Sequence, residues 1–258
     1  MKKILFLAAS VSLLISCSSD ADEPVIITDP IKEIPRKRVT EVKKDNQLLY
    51  KFTYGTEGIA EVHMYSDGVL SNITRVEYTN GLQTGRYQYT SGVLSLYEKY
   101  SYEGKYISNR KIYSVNNLNQ ETLIKSTDYI NDPTKAHSNL IGVKQYDGSG
   151  NPTSSQDITY TDSYGSSTSN TFNASGIQTH IYTLIKDDAP AWDTVLDPFV
   201  YQHVYNTKSS IYKSVSNGAL NGFTAQYTYD NHHYPITAQY QHTTGLTENY
   251  TFTWETIQ

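Results

Sequence analysis

Residues 65–92 read YSDGVLSNITRVEYTNGLQTGRYQYTSG, and three short reversals punctuate them: Ser66-Asp67-Gly68, Thr79-Asn80-Gly81 and Thr90-Ser91-Gly92. Asp, Asn or Ser followed by Gly tolerates the positive φ that a tight hairpin turn demands. The runs between reversals are long enough for one strand of roughly 25–30 Å. Within them polar and aromatic residues alternate, as in Arg86-Tyr87-Gln88-Tyr89, the period of a pleated strand with two unlike faces. The segment predicts consecutive hairpins.

Outward from this stretch the same punctuation recurs. Tyr54 precedes Gly58, Tyr65 precedes Gly68, Tyr78 precedes Gly81, Tyr89 precedes Gly92 and Tyr102 precedes Gly104, while Tyr113 is followed by Asn116-Asn117. The tyrosine steps are 11, 13, 11, 13 and 11 residues, which defines a two-strand unit of 24 residues. Such an internal repeat is one supersecondary element used again and again. A tyrosine placed before a turn sets its ring near the sheet edge with its hydroxyl toward water. Stacked units would align these rings as ladders.

Composition agrees. The chain has 24 tyrosines in 258 residues, and Tyr, Thr, Val and Ile suit a half-buried pleated surface. Long runs with helical apolar spacing are missing, whereas alternation returns near the end in Tyr250-Thr251-Phe252-Thr253-Trp254. The expected class is all-β: an extended, curved antiparallel meander of repeated hairpins. Two stretches interrupt the rhythm. Residues 126–141 contain Asn131-Asp132-Pro133, read as the start of a helix or loop, and residues 185–200 carry Trp192 and Phe199. Long insertions on rigid sheets often bear function. Trp192, Phe199, Tyr201 and Tyr229 are the candidate ligand-binding residues; Trp192 and Phe199 would serve equally to cover an open sheet face.

In the second half, Tyr146-Asp147-Gly148-Ser149-Gly150-Asn151-Pro152 and Tyr229-Asp230-Asn231-His232-His233-Tyr234-Pro235 share the scheme Tyr-Asp, short turn, Pro. These segments resemble YD (Rhs-type) repeats, although the second has His232-His233 where the pattern uses glycine. The whole chain resembles surface lipoproteins of the Bacteroidetes that carry such Tyr-rich β-repeats. The resemblance implies an extended antiparallel sheet and transfers no catalytic residue.

The N-terminus gives the address. Lys2 and Lys3 precede an apolar run from Ile4 to Ile15; as a helix this spans roughly 18 Å, short of the ~30 Å hydrocarbon core. It reads as an export signal covering residues 1–16. Leu14-Ile15-Ser16-Cys17 resembles the lipobox of bacterial prolipoproteins, which implies acylation of Cys17, the only cysteine in the chain. Several acyl chains would hold the protein at a membrane. Ser18-Ser19-Asp20-Ala21-Asp22-Glu23 resembles the signal that sends such proteins to the outer face of the outer membrane. Residues 17–38, with Pro24, Pro30 and Pro35, read as a tether about 25 Å end to end. Residues 39–258 form the single folded domain, with Arg36-Lys37-Arg38 as a solvated edge.

Loss of Lys2 and Lys3 leaves 19 basic against 26 acidic residues, a net charge of −7. That balance argues against nucleic acid as a partner. The sequence holds no G-x-S-x-G elbow, H-E-x-x-H helix or phosphate-binding glycine loop, and no cofactor is expected. Adjacent His232-His233 lack further ligands at metal spacing. The expected function is a non-catalytic, lipid-anchored scaffold that binds glycan. A protein-docking module and a polysaccharide hydrolase are the alternatives.

Overall fold

A computed structural model describes residues 37–132, 134, 140–162, 165–191 and 205–257. Sixteen strands follow in order: β1 (Lys37–Lys44), β2 (Gln47–Tyr54), β3 (Ile59–Ser66), β4 (Val69–Thr79), β5 (Leu82–Thr90), β6 (Val93–Glu103), β7 (Tyr106–Val115), β8 (Glu121–Asn131), β9 (Leu140–Asp147), β10 (Pro152–Tyr160), β11 (Ser167–Asn173), β12 (Gln178–Pro190), β13 (Tyr205–Ser214), β14 (Leu220–Tyr229), β15 (Pro235–His242) and β16 (Thr247–Thr256). Each pairs antiparallel with its predecessor, and β1 pairs with β16 to close a barrel. The meander expected from the repeat is therefore present, and it closes on itself instead of staying extended.

The reversals behave as their residues dictate. Asp67-Gly68, Asn80-Gly81 and Ser91-Gly92 all have positive φ at both positions, from 51° to 79°, the primed turn that matches strand twist. Asp45 and Asn46 do the same without glycine, at 47° and 67°. The Tyr-Asp turns share one further device. The Asp147 carboxylate accepts the amides of Ser149 and Asn151 (both 2.9 Å), and Asp230 accepts those of His232 (2.8 Å) and Tyr234 (3.0 Å). The aspartate closes the loop by satisfying amides that the ladder leaves over.

The repeating tyrosine marks something the spacing did not reveal. A register shift lies immediately before Tyr54, Tyr65, Tyr78, Tyr89, Tyr102 and Tyr113. In each case the following strand contains one extra residue, and four of these are Ser71, Thr84, Ser95 and Ser108. Ser71 and Ser95 donate back to the carbonyls of Met64 (2.9 Å) and Gln88 (3.1 Å) across the shift. Bulges bend a strand and add right-handed twist. Six in succession between β2 and β8, supplied at both rims, coil that part of the sheet toward closure.

Tyrosines 24 residues apart share a face. Tyr54 and Tyr102 donate to the carbonyls of Val39 and Gln83 on the preceding strand, each at 2.6 Å, so those hydroxyls bind backbone where water was expected. On the other face Tyr87, Tyr97 and Tyr113 stack at 5.7 and 4.7 Å; of these only Tyr113 belongs to the spaced series, so this stack is not the ladder expected from the repeat.

The register assigns every strand one face toward the lumen. Around the seam, β14–β16 and β1–β3 line it with Val39, Val42, Phe52, Val62, Ala225, Ala238, Tyr240 and Phe252, all buried. Val39 sits opposite Trp254 and Val42 opposite Phe252, so the closing pair of strands forms the centre of the core. Lys37 pairs with Asp230 at 2.5 Å, and Arg38 pairs with Glu255 while its guanidinium lies 4.3 Å from the Tyr54 ring. These two basic residues are thus strand, not solvated tether.

The outer face is polar. Lys51, Arg75, Glu77, Lys99, Lys111, Lys144, Asp157, Gln226 and Gln239 are exposed along the strand middles. Lipid-facing barrels carry an apolar band there, and each Lys or Arg at the bilayer midplane costs about 2–4 kcal/mol.

The two interrupting stretches are partly strand. Asn131, read as a helix or loop start, ends β8 opposite Leu140 of β9. Residues 185–190 continue β12 and pair with β13 through Lys186↔Thr207 and Pro190↔Tyr205.

Candidate functional site

Of the residues singled out in the sequence, Cys17, Trp192, Phe199 and Tyr201 lie outside the described residues. Tyr229 is described. It ends β14, half-buried beside Tyr227 at 6.0 Å, and its hydroxyl donates to Asp187. Burial raises the Tyr229 phenol well above its ordinary value, and the adjacent Asp187 charge raises it further. Burial likewise raises the Asp187 carboxyl, against the Tyr229 hydrogen bond that lowers it. The buried Asn206 amide lies against this pair. The Tyr229 hydroxyl thus links β14 to β12 at one rim.

The hollow lies elsewhere, on the inner face of β9–β13. Here the lumen side of the pleat carries Ser154, Gln156, Ser167, Ser169 and Thr171 in place of the large apolar residues found around the seam. Small hydroxyl side chains cannot fill the space that the strand spacing encloses. Two cavities result, of about 260 and 180 Å³, and they share Val143 and Gln156. The larger is lined by Val143, Gln145, Ser154, Gln156, Thr171 and Tyr212. The smaller continues past Ile158, Tyr160, Ser169, Tyr182 and Leu184.

The lining is ordered internally. Gln156 Nε2 donates to Ser169 Oγ at 2.6 Å, and Ser154 Oγ donates to Gln145 Oε1 at 3.3 Å. Tyr182 and Ser210 share a hydroxyl contact of 3.0 Å. The His180 ring stacks on Tyr212 at 4.2 Å with 22° between planes, and Tyr212 keeps 37 % of its surface open. Burial pushes the Tyr160 phenol up to about 12, so it remains a neutral donor over the physiological range. Flat aromatic faces beside fixed amides and hydroxyls form an amphipathic surface that both stacks and hydrogen-bonds.

Next to the hollow the lumen turns basic. On β5–β8 the inner face bears Arg86, Arg110 and Lys125 against Glu98, placed by the pairs Arg86↔Glu98, Tyr100↔Arg110 and Ile112↔Lys125. Arg110 grips Glu98 with two nitrogens, Nε at 3.1 Å, and Tyr100 donates to the same carboxylate. Burial opposes the Arg110 charge, but the Glu98 hydrogen bonds and charge outweigh it and raise its pKa. Burial, with the Arg110 guanidinium second, holds Lys125 below the ordinary lysine value. No carboxylate pairs with the Lys125 ammonium among the described residues.

The sequence reading missed this site, because Gln, Ser and Thr within strands carry no motif. The one available signal was compositional: between residues 143 and 184 the alternating positions that would face a core are mostly hydroxyl and amide residues. Among the described residues no group of three His, Cys, Asp or Glu is arranged to hold a metal.

No family model matches the chain, and no curated protein matches it. Solved structures share its fold. A porin-like protein from Bacteroides uniformis ATCC 8492 is 12 % identical with a TM-score of 0.53, covering 86 % of this chain and 98 % of its own. A porin-like protein from Bacteroides vulgatus ATCC 8482 is 13 % identical with the same TM-score, covering 86 % and 100 %.

Proposed function

We propose that the protein is a non-catalytic, lipid-anchored component of the outer membrane whose barrel stands in water and binds glycan in the hollow of β9–β13. The observation that carries this reading is the lining of that hollow. Tyr182 and Tyr212 offer ring faces, Gln145 and Gln156 offer amides, and no carboxylate appears among the residues of either cavity. A glycosidase needs two carboxyl groups some 5–9.5 Å apart across its site, so this lining favours binding over cleavage. The charged outer wall supports attachment through Cys17 in place of a barrel that spans the bilayer. The porin-like neighbours supply precedent for the barrel.

The test is a glycan array probed with the chain from residue 17 onward carrying Cys17→Ser, alongside its Tyr212→Ala variant. Retention of a glycan set by the first protein and its loss by the second is the expected result. Silence of both across plant, host and bacterial glycans would remove the reading.

A second reading rests on the rim of tight turns. Val69, Val93, Leu118, Leu220 and Leu246 flank those turns and are exposed, Leu118 to 77 %. Apolar tips gathered at one end of a barrel suit a protein partner. Co-purification from membranes, lost on Leu118→Ser with Leu246→Ser, distinguishes it.

A further inference from the structure

We infer that the hollow selects acidic saccharides, with a uronic-acid carboxylate held by Lys125 while the adjoining sugar rings lie against Tyr182 and Tyr212. The inference rests on the glycan reading and adds the class of glycan. It begins from a local reversal of charge. The chain as a whole carries −5, yet the lumen face of β5–β8 sets three cations against the single carboxylate of Glu98. A concave wall of one sign concentrates counter-ions from solution.

Neighbouring groups leave Lys125 as the cation that awaits an anion. Glu98 on β6 is engaged by Arg110 of β7 and by the Tyr100 hydroxyl. Burial raises the Tyr78 and Tyr100 phenols, and the charge of Arg86 on β5 opposes that rise at both. Asp147 of β9 stands opposite Lys125 in the ladder, but its carboxylate turns into its own loop and accepts from Ser149, Asn151 and the Asn151 amide side chain. Glu121, earlier on β8, accepts from Tyr97 on the outer face.

The cation also adjoins the hollow. Thr127 and Gln145 face each other two pairs along from Lys125 and Asp147, on the same face of the sheet, and Gln145 lines the larger cavity. Diagonal neighbours on one sheet face are about 7–8 Å apart, within reach of a lysine. A ring seated at Tyr212 and Gln156 would thus place a substituent on the next sugar at the ammonium. A neutral glycan would leave that ammonium without a counter-charge.

Calorimetric titration tests this with galacturonate and glucuronate oligomers against galactose and glucose oligomers of matching linkage and length. Poly-glutamate serves as a non-sugar anion, and the proteins are the Cys17→Ser chain, K125Q and K125R. Acidic oligomers should bind at least tenfold tighter than neutral ones. K125Q should erase that margin while keeping neutral binding, and K125R should retain most of it. Affinity for the acidic oligomers should fall with salt, and fall again as pH rises through the lowered Lys125 pKa and the ammonium is lost. Equal binding of acidic and neutral oligomers overturns the inference and leaves glycan binding standing. An unchanged margin in K125Q also overturns it, as does poly-glutamate binding as tightly as uronates. Binding of no saccharide at all removes the glycan reading itself. Unchanged thermal melts of the variants establish that they fold.

Discussion

The wall around the seam and the wall from β9 to β13 use the same pleat, the same antiparallel ladder and the same alternation of faces, yet one is a core and the other a cavity. Around the seam the lumen positions are Val39, Val42, Phe52, Val62 and Phe252. Across β9–β11 the equivalent positions include Gln145, Ser154, Gln156, Ser169 and Thr171. The backbone spacing is common to both, so the side-chain volume alone decides whether the space fills. Side-chain volume is concentrated around the seam and sparse across β9–β11. A single barrel thereby has a packed wall and a hollow one around its circumference.

That contrast is open to direct tests, beginning with the strongest. Phe252→Ala, at a side chain 6 % exposed beside Val42, should destabilise by about 3–5 kcal/mol in urea unfolding. The matching truncation in the hollow, Tyr212→Ala, should cost about 1 kcal/mol or less. Equal losses would erase the distinction between the walls. Gly222→Ala should cost about 2–3 kcal/mol, because its φ is +142° and an added Cβ would lie 1.9 Å from the Ser210 carbonyl oxygen. Tyr182→Phe should leave the melting temperature within a degree or two and weaken saccharide binding severalfold, since it removes only the hydroxyl shared with Ser210. An equal loss of stability and affinity would make that tyrosine structural.

The smallest effect expected is acid sensitivity at the seam. Burial opposes the Glu248 charge, but hydrogen bonds from Lys44, His242 and Tyr250 prevail and hold its carboxyl below the ordinary range. A lowered carboxyl stabilises the fold above its unfolded pKa, and that contribution disappears as pH falls through the folded value. Thermal melts from pH 5 downward should therefore decline more in the parent than in Lys44→Met. Parallel declines would show that Lys44 contributes nothing there.

Much of the fold was legible because hairpins are local. Asn80-Gly81 and Ser91-Gly92 announce their turns within four residues, and the 11/13 tyrosine rhythm follows from two strands of unequal length. Tyr146-Asp147 and Tyr229-Asp230 share one scheme in the sequence, and the folded turns add that each aspartate accepts two loop amides. The candidate binding tip was less legible. The Tyr229 hydroxyl donates to Asp187, and the hollow is assembled from Gln145, Gln156, Tyr182 and Tyr212, residues that look like ordinary strand until their faces are assigned.

From the sequence alone came the strand class, the order of pairing along the chain and the residues that reverse it. All of these depend on neighbours a few positions apart, where φ preference and alternation act. Closure was decided at the tertiary level. It joins Val42 to Phe252 through curvature accumulated at bulges such as those before Tyr78 and Tyr89, and a sum of small bends has no signature at any one residue. The hollow has the same origin: whether Ser169 leaves a void depends on what the closed sheet brings to face it.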